Sequence, residues 1–289
     1  MTSTLTTPAT LTLGHSPDPD DAFMFYALAK SKIPTDGFHF EHILQDIQTL
    51  NERAQKRELD ITAISFHAYP YIAKDYALLP CGASMGDGYG PMLVSLKAHK
   101  PADFPKLRIA IPGKLTSAFL ALQLYLKQAG IQVPASAFNV VPFDEIFTAL
   151  RENKADVGLI IHEGQLTYAR DGFHLIEDLG VWWKKKNGTP LPLGGNVILK
   201  SLGAARMKKI SSVLSASIRY GLDHLDEALP HLRAYARDLD DDLTRRFVQM
   251  YVNDYTVDYG DTGRRAITDF LKQGADAGFV PPIEKLEFV

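Results

Sequence analysis

The sequence predicts an α/β protein of two lobes with a ligand cleft between them. Three observations support this class. A strand–loop–helix rhythm runs from Leu11 to Tyr69 and starts afresh at Leu107, as in parallel sheets joined by helical crossovers. Two apolar stretches, near 91–97 and 191–199, read as strands along which the chain crosses between lobes. The run Asp156-Val157-Gly158-Leu159-Ile160-Ile161-His162-Glu163-Gly164 is branched aliphatic from Val157 to Ile161 except at Gly158. That pattern suits a strand buried on both faces of a parallel sheet.

The elements follow in order. Met1 to Thr10 is rich in Thr and Ser and reads as a short, poorly ordered lead-in. Leu11 to His15 is a first strand. Ser16 to Asp21 is a loop, and Ala22 to Ala29 is a helix with Pro19 and the acidic pair in its first turn. Phe38–Leu44 is strand-like and Ile47 to Lys56 helical. Leu59 to Ser65 alternates as a strand and meets a helix at Phe66 to Tyr69. Cys81 to Pro91 is a glycine-dense loop without the strand–GxGxxG–helix context of a dinucleotide site. Met92 to Leu96 is the first crossing strand.

A new block opens at Leu107 to Gly113, and its loop, Lys114 to Ser117, enters a helix from Ala118 to Gln128. Phe138 to Pro142 is a strand and Phe143 to Asn153 a helix, before the His162 strand. Lys184 to Lys186 reads as a solvated surface turn. Leu191–Leu199 is the second crossing strand, and Ala204 to Phe288 reads as helices. The larger lobe is then discontinuous, 1–94 with 197–289, and the smaller is 95–196. Closure of such lobes over a ligand excludes water. No internal repeat is evident.

Composition narrows the function. The chain has 289 residues, 46% hydrophobic and 22% charged, with a formal charge of -3. That is a globular composition, and without a basic run it argues against nucleic acid as a partner. No apolar stretch reaches the ~20 residues of a membrane span. The N-terminus lacks the charged and apolar regions of a secretory signal, so a cytoplasmic location is expected. The single cysteine, Cys81, excludes an internal disulfide and a cysteine-based zinc site. A homodimer is compatible with the C-terminal helices, but the sequence shows no interface.

Strand ends supply the candidate site, because ligands of open α/β sheets sit at the carboxyl ends of the strands. His162 falls at such an end, where an imidazole can move a proton near neutral pH. The plainer reading is a histidine that satisfies a strand end or a loop carbonyl. Thr116 and Ser117 precede a helix, where hydroxyls and free N–H groups bind anions or simply cap. Ser65 ends a strand and opens a helix, with the same two readings. Asp18, Asp20 and Asp21 suit a metal or a general acid, or else complement a helix dipole; EF-hand spacing is absent. His15 and His67 read as ligand contacts or structural imidazoles. Trp182 and Trp183 read as an aromatic pocket or as core.

Taken together, the segments resemble the 1,4-dihydroxy-6-naphthoate synthase family of the futalosine route to menaquinone. The resemblance rests on Ser16-Pro17 with Asp21 and Phe23 to Leu28, on Asp46 to Asn51, and on Ser65 with Ala68-Tyr69. It continues through Gly90-Pro91, Pro112-Gly113 with Thr116, and Gly158 to Glu163. Thr167-Tyr168, Asp178 to Gly180 with Trp182-Trp183, Pro190 to Gly194 and Tyr251 to Asn253 complete it. The resemblance implies a periplasmic-binding-protein type II fold recruited to catalysis. It implies a lyase that cleaves cyclic dehypoxanthine futalosine, a carboxylate, to 1,4-dihydroxy-6-naphthoate, without metal or organic cofactor. His162 matches the family's proton acceptor. Ala63, Ile64, Ser65, Thr116 and Ser117 match its substrate contacts, and Ser16 and Asp18 lie in the matching first loop.

The first loop departs from the family's Ser-Pro-Cys-Pro-Asn-Asp-Thr at Asp18, Asp20 and Ala22. Ala63 stands where the family can carry lysine, and a protonated His67 would compensate for that lost cation. Two other functions fit the same fold: a non-catalytic binding protein for a small carboxylate, and a chorismate dehydratase of the same pathway. The His162 motif fits the latter less well.

Overall fold

Two mixed β-sheets organise the chain, and each assembles the same local topology. The structure is a computed structural model that describes residues 9–236 and 240–289. The lead-in expected over Met1 to Thr10 lies outside the described residues up to residue 8. Ala9 and Thr10 already belong to the first strand.

The strands are β1 Ala9–His15, β2 Phe38–Leu44, β3 Ile61–Ser65, β4 Tyr76–Leu78, β5 Ser84–Gly86 and β6 Met92–Ser95. They continue with β7 Ile109–Ile111, β8 Phe138–Val140, β9 Val157–Ile160, β10 His174–Asp178 and β11 Leu191–Leu199. One sheet has the order β2-β1-β3-β11-β4, with β5 also on β11; the other has the order β10-β6-β9-β7-β8. In the first sheet β1 lies between β2 and β3, parallel to both, and β11 runs antiparallel to β3. In the second, β7 lies between β8 and β9, parallel to both, and β6 runs antiparallel to β9.

The parallel sheet expected around the His162 strand is found on one side of it only. β9 is parallel on one side and antiparallel on the other. Its continuous apolar composition follows from burial of all four residues, which periodicity cannot convert into strand direction. Each crossing strand also lies within one sheet, β6 in the second and β11 in the first.

Other elements differ in detail. The helix expected at Ala22 begins at Pro19 and breaks at Phe25 into Pro19–Met24 and Tyr26–Ala29. The glycine-dense loop contains β5, held by β11. Lys184, Lys185 and Lys186 form the last turn of the Leu179–Asn187 helix rather than a surface turn. Cations there complement the helix dipole. Helix does not continue to Phe288: the Gly260–Asp276 helix is the last, and Phe288 bridges to Leu78.

The largest core spans both sheets, joining Ile64 and Val197 of the first to Leu93, Ile109 and Val157 of the second. Trp183 is fully buried in it against Phe270. A second core fills the space between the first sheet and the Ala204–Asp223 helix. That helix buries Ile210, Val213, Leu214, Ser217, Ile218 and Gly221, the 3–4 residue spacing of one helical face. Among the described residues no helix is long and apolar enough to cross a membrane.

Candidate active site

Four carboxyl ends of parallel strands converge on one cleft. The end of β1 leads to Ser16, and β3 ends in Ala63, Ile64 and Ser65. The loop after β7 carries Thr116 and Ser117, and β9 leads to Ile161; all of these line the cavity. Its empty volume is about 790 Å³, open mouth included, a size suited to a small organic ligand. Asp18, Asp20 and Asp21 line it as well. So do Met24, Ile47, Leu193 and Tyr251, all inside segments that carry the family resemblance, and Gln165, Asn196 and Phe247, which lie outside them.

One wall is a set of tightly held hydroxyls. Asn51 clamps Ser65 from two directions: its Oδ1 accepts the Ser65 N–H at 2.8 Å, and its Nδ2 donates to Ser65 Oγ at 3.2 Å. Ser65 makes no side-chain cap to the turn it opens, so simple capping does not account for it. Thr116 does cap: its Oγ1 accepts the Phe119 N–H at 3.2 Å and donates to the Gly113 carbonyl at 2.9 Å. Ser117 Oγ accepts the His67 N–H at 3.2 Å. Hydroxyls and N–H groups at two helical starts favour an anion between them.

The acidic loop closes one end of the wall. Asp21 accepts the Ser16 N–H at 2.7 Å, and Ser16 Oγ donates to Asp18 at 3.0 Å. Burial raises the Asp21 carboxyl to about 6, against the lowering effect of the Ser16 hydrogen bonds. Asp20 is pushed well above the carboxylate range by burial, then by Asp21 and Asp18. Among the described residues no group of three His, Cys, Asp or Glu is placed to hold a metal ion.

His162 lies one residue beyond Ile161, at the turn into the Gly164–Thr167 helix. It is 8% exposed. Its Nε2 meets the Phe143 carbonyl at 2.8 Å, and its Nδ1 accepts the Gly164 N–H at 2.9 Å. A carbonyl only accepts, so the proton sits on Nε2 and the lone pair on Nδ1. Glu163 Oε2 approaches that Nδ1 to 3.7 Å. Phe143 and Phe147 meet the imidazole edge-on. Gly164 makes this packing feasible: a Cβ there would lie 2.9 Å from His162 Cε1 and 3.0 Å from Phe147.

The remaining candidates separate from the cleft. His67 is buried and holds the Thr116 carbonyl through Nδ1 at 3.0 Å. Burial lowers its pKa. The carbonyl contact makes it a structural strut, and burial disfavours the protonated form that would stand in for the absent lysine. His15 Nδ1 meets the Ser16 carbonyl and Nε2 meets His42 Nδ1, each at 3.0 Å. Burial pushes both His15 and His42 down to about 4. Trp183 is core, and Trp182 donates to Gln128.

The second wall comes from the C-terminal helices. Phe247 and Tyr251 share one face of the Asp241–Tyr251 helix at i, i+4 spacing. The Tyr251 hydroxyl donates to Gln165 Oε1 across the cleft, and Gln165 Nε2 donates to the Ile160 carbonyl at 3.4 Å. Burial, then Tyr89 and Asp20, keeps the Tyr251 phenol well above its usual range, so it acts as a donor. Tyr251 lies inside a segment that carried the family resemblance; its place in the cleft wall depends on a contact 86 residues away.

A family described as menaquinone biosynthesis matches residues 11–276. A 1,4-dihydroxy-6-naphthoate synthase of Streptomyces coelicolor is 34% identical over 95% of this chain and 96% of its own length. One of Thermus thermophilus is also 34% identical, over 96% and 99%. A crystal structure of an Archaeoglobus fulgidus protein superposes with a TM-score of 0.86 at 37% identity, covering 94% of this chain and 98% of that one. A Candida albicans protein of the generic periplasmic-binding-protein fold gives 0.69 at 14% identity, covering 96% and 92%. At that identity the likeness shows the fold alone, and the fold is that of the periplasmic binding proteins.

Proposed function

The chain belongs to the menaquinone-biosynthesis family, and on that premise we propose that it is a 1,4-dihydroxy-6-naphthoate synthase. It is an enzyme of the lyase type, taking cyclic dehypoxanthine futalosine as substrate and releasing the sugar-derived part. The observation that carries this reading is the cleft itself: a wall lined by the hydroxyl-bearing Ser65, Thr116 and Ser117, with a buried imidazole one residue beyond the lining at Ile161.

In this mechanism the substrate carboxylate meets Ser65, Thr116 and Ser117, aided by the N–H groups that open the Ser117–Gln128 helix. Ala63, Ile64, Ser16 and Asp18 line the remainder of the cleft around the substrate. His162 accepts the proton whose loss starts the cleavage. The electron pair left behind breaks the bond to the sugar-derived part, and the ring becomes aromatic. The lone pair on Nδ1 is the acceptor, so the Gly164 N–H must yield it when the substrate is seated. A closed, water-poor cleft keeps the base from bulk solvent.

The test is incubation of purified protein with cyclic dehypoxanthine futalosine and chromatography for 1,4-dihydroxy-6-naphthoate. Product from the wild type and none from a folded His162→Ala variant is the expected result. No product from the wild type would overturn the reading, and full activity in the variant would remove His162 from the mechanism.

A further inference from the structure

We infer that Glu163 is the positioning residue for His162, its carboxylate holding the imidazolium formed when His162 takes a proton. The inference rests on His162 as proton acceptor. Glu163 Oε2 lies 3.7 Å from Nδ1, and the two side chains are only 6% and 11% exposed. Opposite charges at that separation attract far more strongly when withdrawn from water than in bulk.

The hydrogen bonds decide which nitrogen is involved. Nε2–H is committed to the Phe143 carbonyl, and the Gly164 N–H points at the Nδ1 lone pair. A proton arriving at Nδ1 creates a second N–H facing the first, which is repulsive. The new N–H needs an acceptor, and Glu163 Oε2 lies 3.7 Å from Nδ1. The proton thus passes from the substrate to Nδ1, its electron pair stays with the substrate, and Glu163 remains a carboxylate throughout. Asp144 and Glu145 sit on the turn that supplies the Phe143 carbonyl, and Arg151 stacks over Phe147. Asp18, Asp20 and Asp21 line the cleft. Among the described residues, Glu163 stands at ion-pair distance from the His162 imidazole.

The test follows the His162 imidazole by NMR through a pH titration, in the wild type and in Glu163→Gln, with His162→Asn to assign the signal. The expected result is a midpoint at least about one pH unit lower in Glu163→Gln, because an opposite charge at this range raises an imidazole pKa by about 1–3. The acid limb of kcat/KM should move down with it. The value of kcat should fall about 10-fold or more, with a smaller change in KM. An unmoved midpoint overturns the inference even if activity falls, because a purely structural role leaves the titration alone. Should Glu163→Gln not fold, the wild type decides. Its Glu163 carboxyl carbon should show an inflection at the His162 midpoint, and a flat trace overturns the inference. The NMR titrations need no substrate, so their failure is separate from failure to make dihydroxynaphthoate, which would remove the function and this role together.

Discussion

The two sheets bring matching strand ends to the cleft but equip them differently. β3 and β9 occupy the same place in their sheets, each beside a parallel strand and an antiparallel crossing strand. β3 ends at Ser65, fixed by Asn51 through both its N–H and its hydroxyl. β9 leads to His162, fixed by one carbonyl and one N–H, with a carboxylate 3.7 Å away. One end can only bind; the other can bind or move a proton. The scaffold sets where a group stands, and the side chain with its neighbours sets what it does.

The largest effect should separate the two ends directly. His162→Asn is expected to lower kcat by about 10²–10⁴-fold, with KM changed little. Ser65→Ala should instead raise KM by about 10-fold and leave kcat within a few-fold, as loss of uniform binding does. Steady-state kinetics on both variants checks this. Equal losses of kcat from both would erase the division between a binding end and a chemical end.

A second, smaller effect concerns the imidazoles of the first sheet. His15 and His42 are held neutral, near 4, mainly by burial. Their folded values lie below the unfolded ones, so the unfolded chain binds more protons between about 4 and 6.5. Stability contributed by keeping them neutral is present above that window and is lost as pH falls through it. Asp21, raised to about 6, works in the opposite sense, since its folded form binds the extra proton. A pKa that differs by one between folded and unfolded chains is worth about 1.4 kcal/mol. Between pH 7 and pH 5 the wild type should therefore lose roughly 1–3 kcal/mol more than His42→Gln does. Urea unfolding at the two pH values measures it, and equal losses would show that His42 does not resist protonation.

The strand ends are legible in the sequence because their signals are local. Phe38–Leu44 and Ile47–Gln55 follow the sequence patterns almost to the residue. Ser65, Thr116 and Ser117 stand out through the strand-to-helix grammar. Strand direction is not legible, since an apolar run such as β9 reads alike in either orientation. β4 and β5 are three residues each, too short for any period, and both exist through pairing with β11. In the cleft wall, Asn196 is held to Gly82, 114 residues away. The lowered pKa of His67 follows from burial under the Thr116 loop of the other sheet, which no local pattern reports.

The smallest effect tests how the two halves are joined. Tyr251 belongs to the helices that cover the first sheet, and Gln165 to the turn just after His162. Their hydrogen bond closes the cleft wall and ties the proton-transfer end to the opposite side. Gln165 is held in turn by the Ile160 carbonyl at the end of β9. Tyr251→Phe removes one hydroxyl and keeps the ring against Tyr89 and Phe247. Global stability should fall by only about 0.5–1.5 kcal/mol. Loss of the same interaction from the closed state alone should lower kcat/KM by about 3–10-fold. If the bond acts on closure, slower substrate trapping accompanies that loss in stopped-flow binding, and the small-angle scattering radius of the substrate-free protein rises. A fall in stability with trapping and radius unchanged would reduce the Tyr251–Gln165 bond to ordinary packing and leave the two halves joined by their shared core.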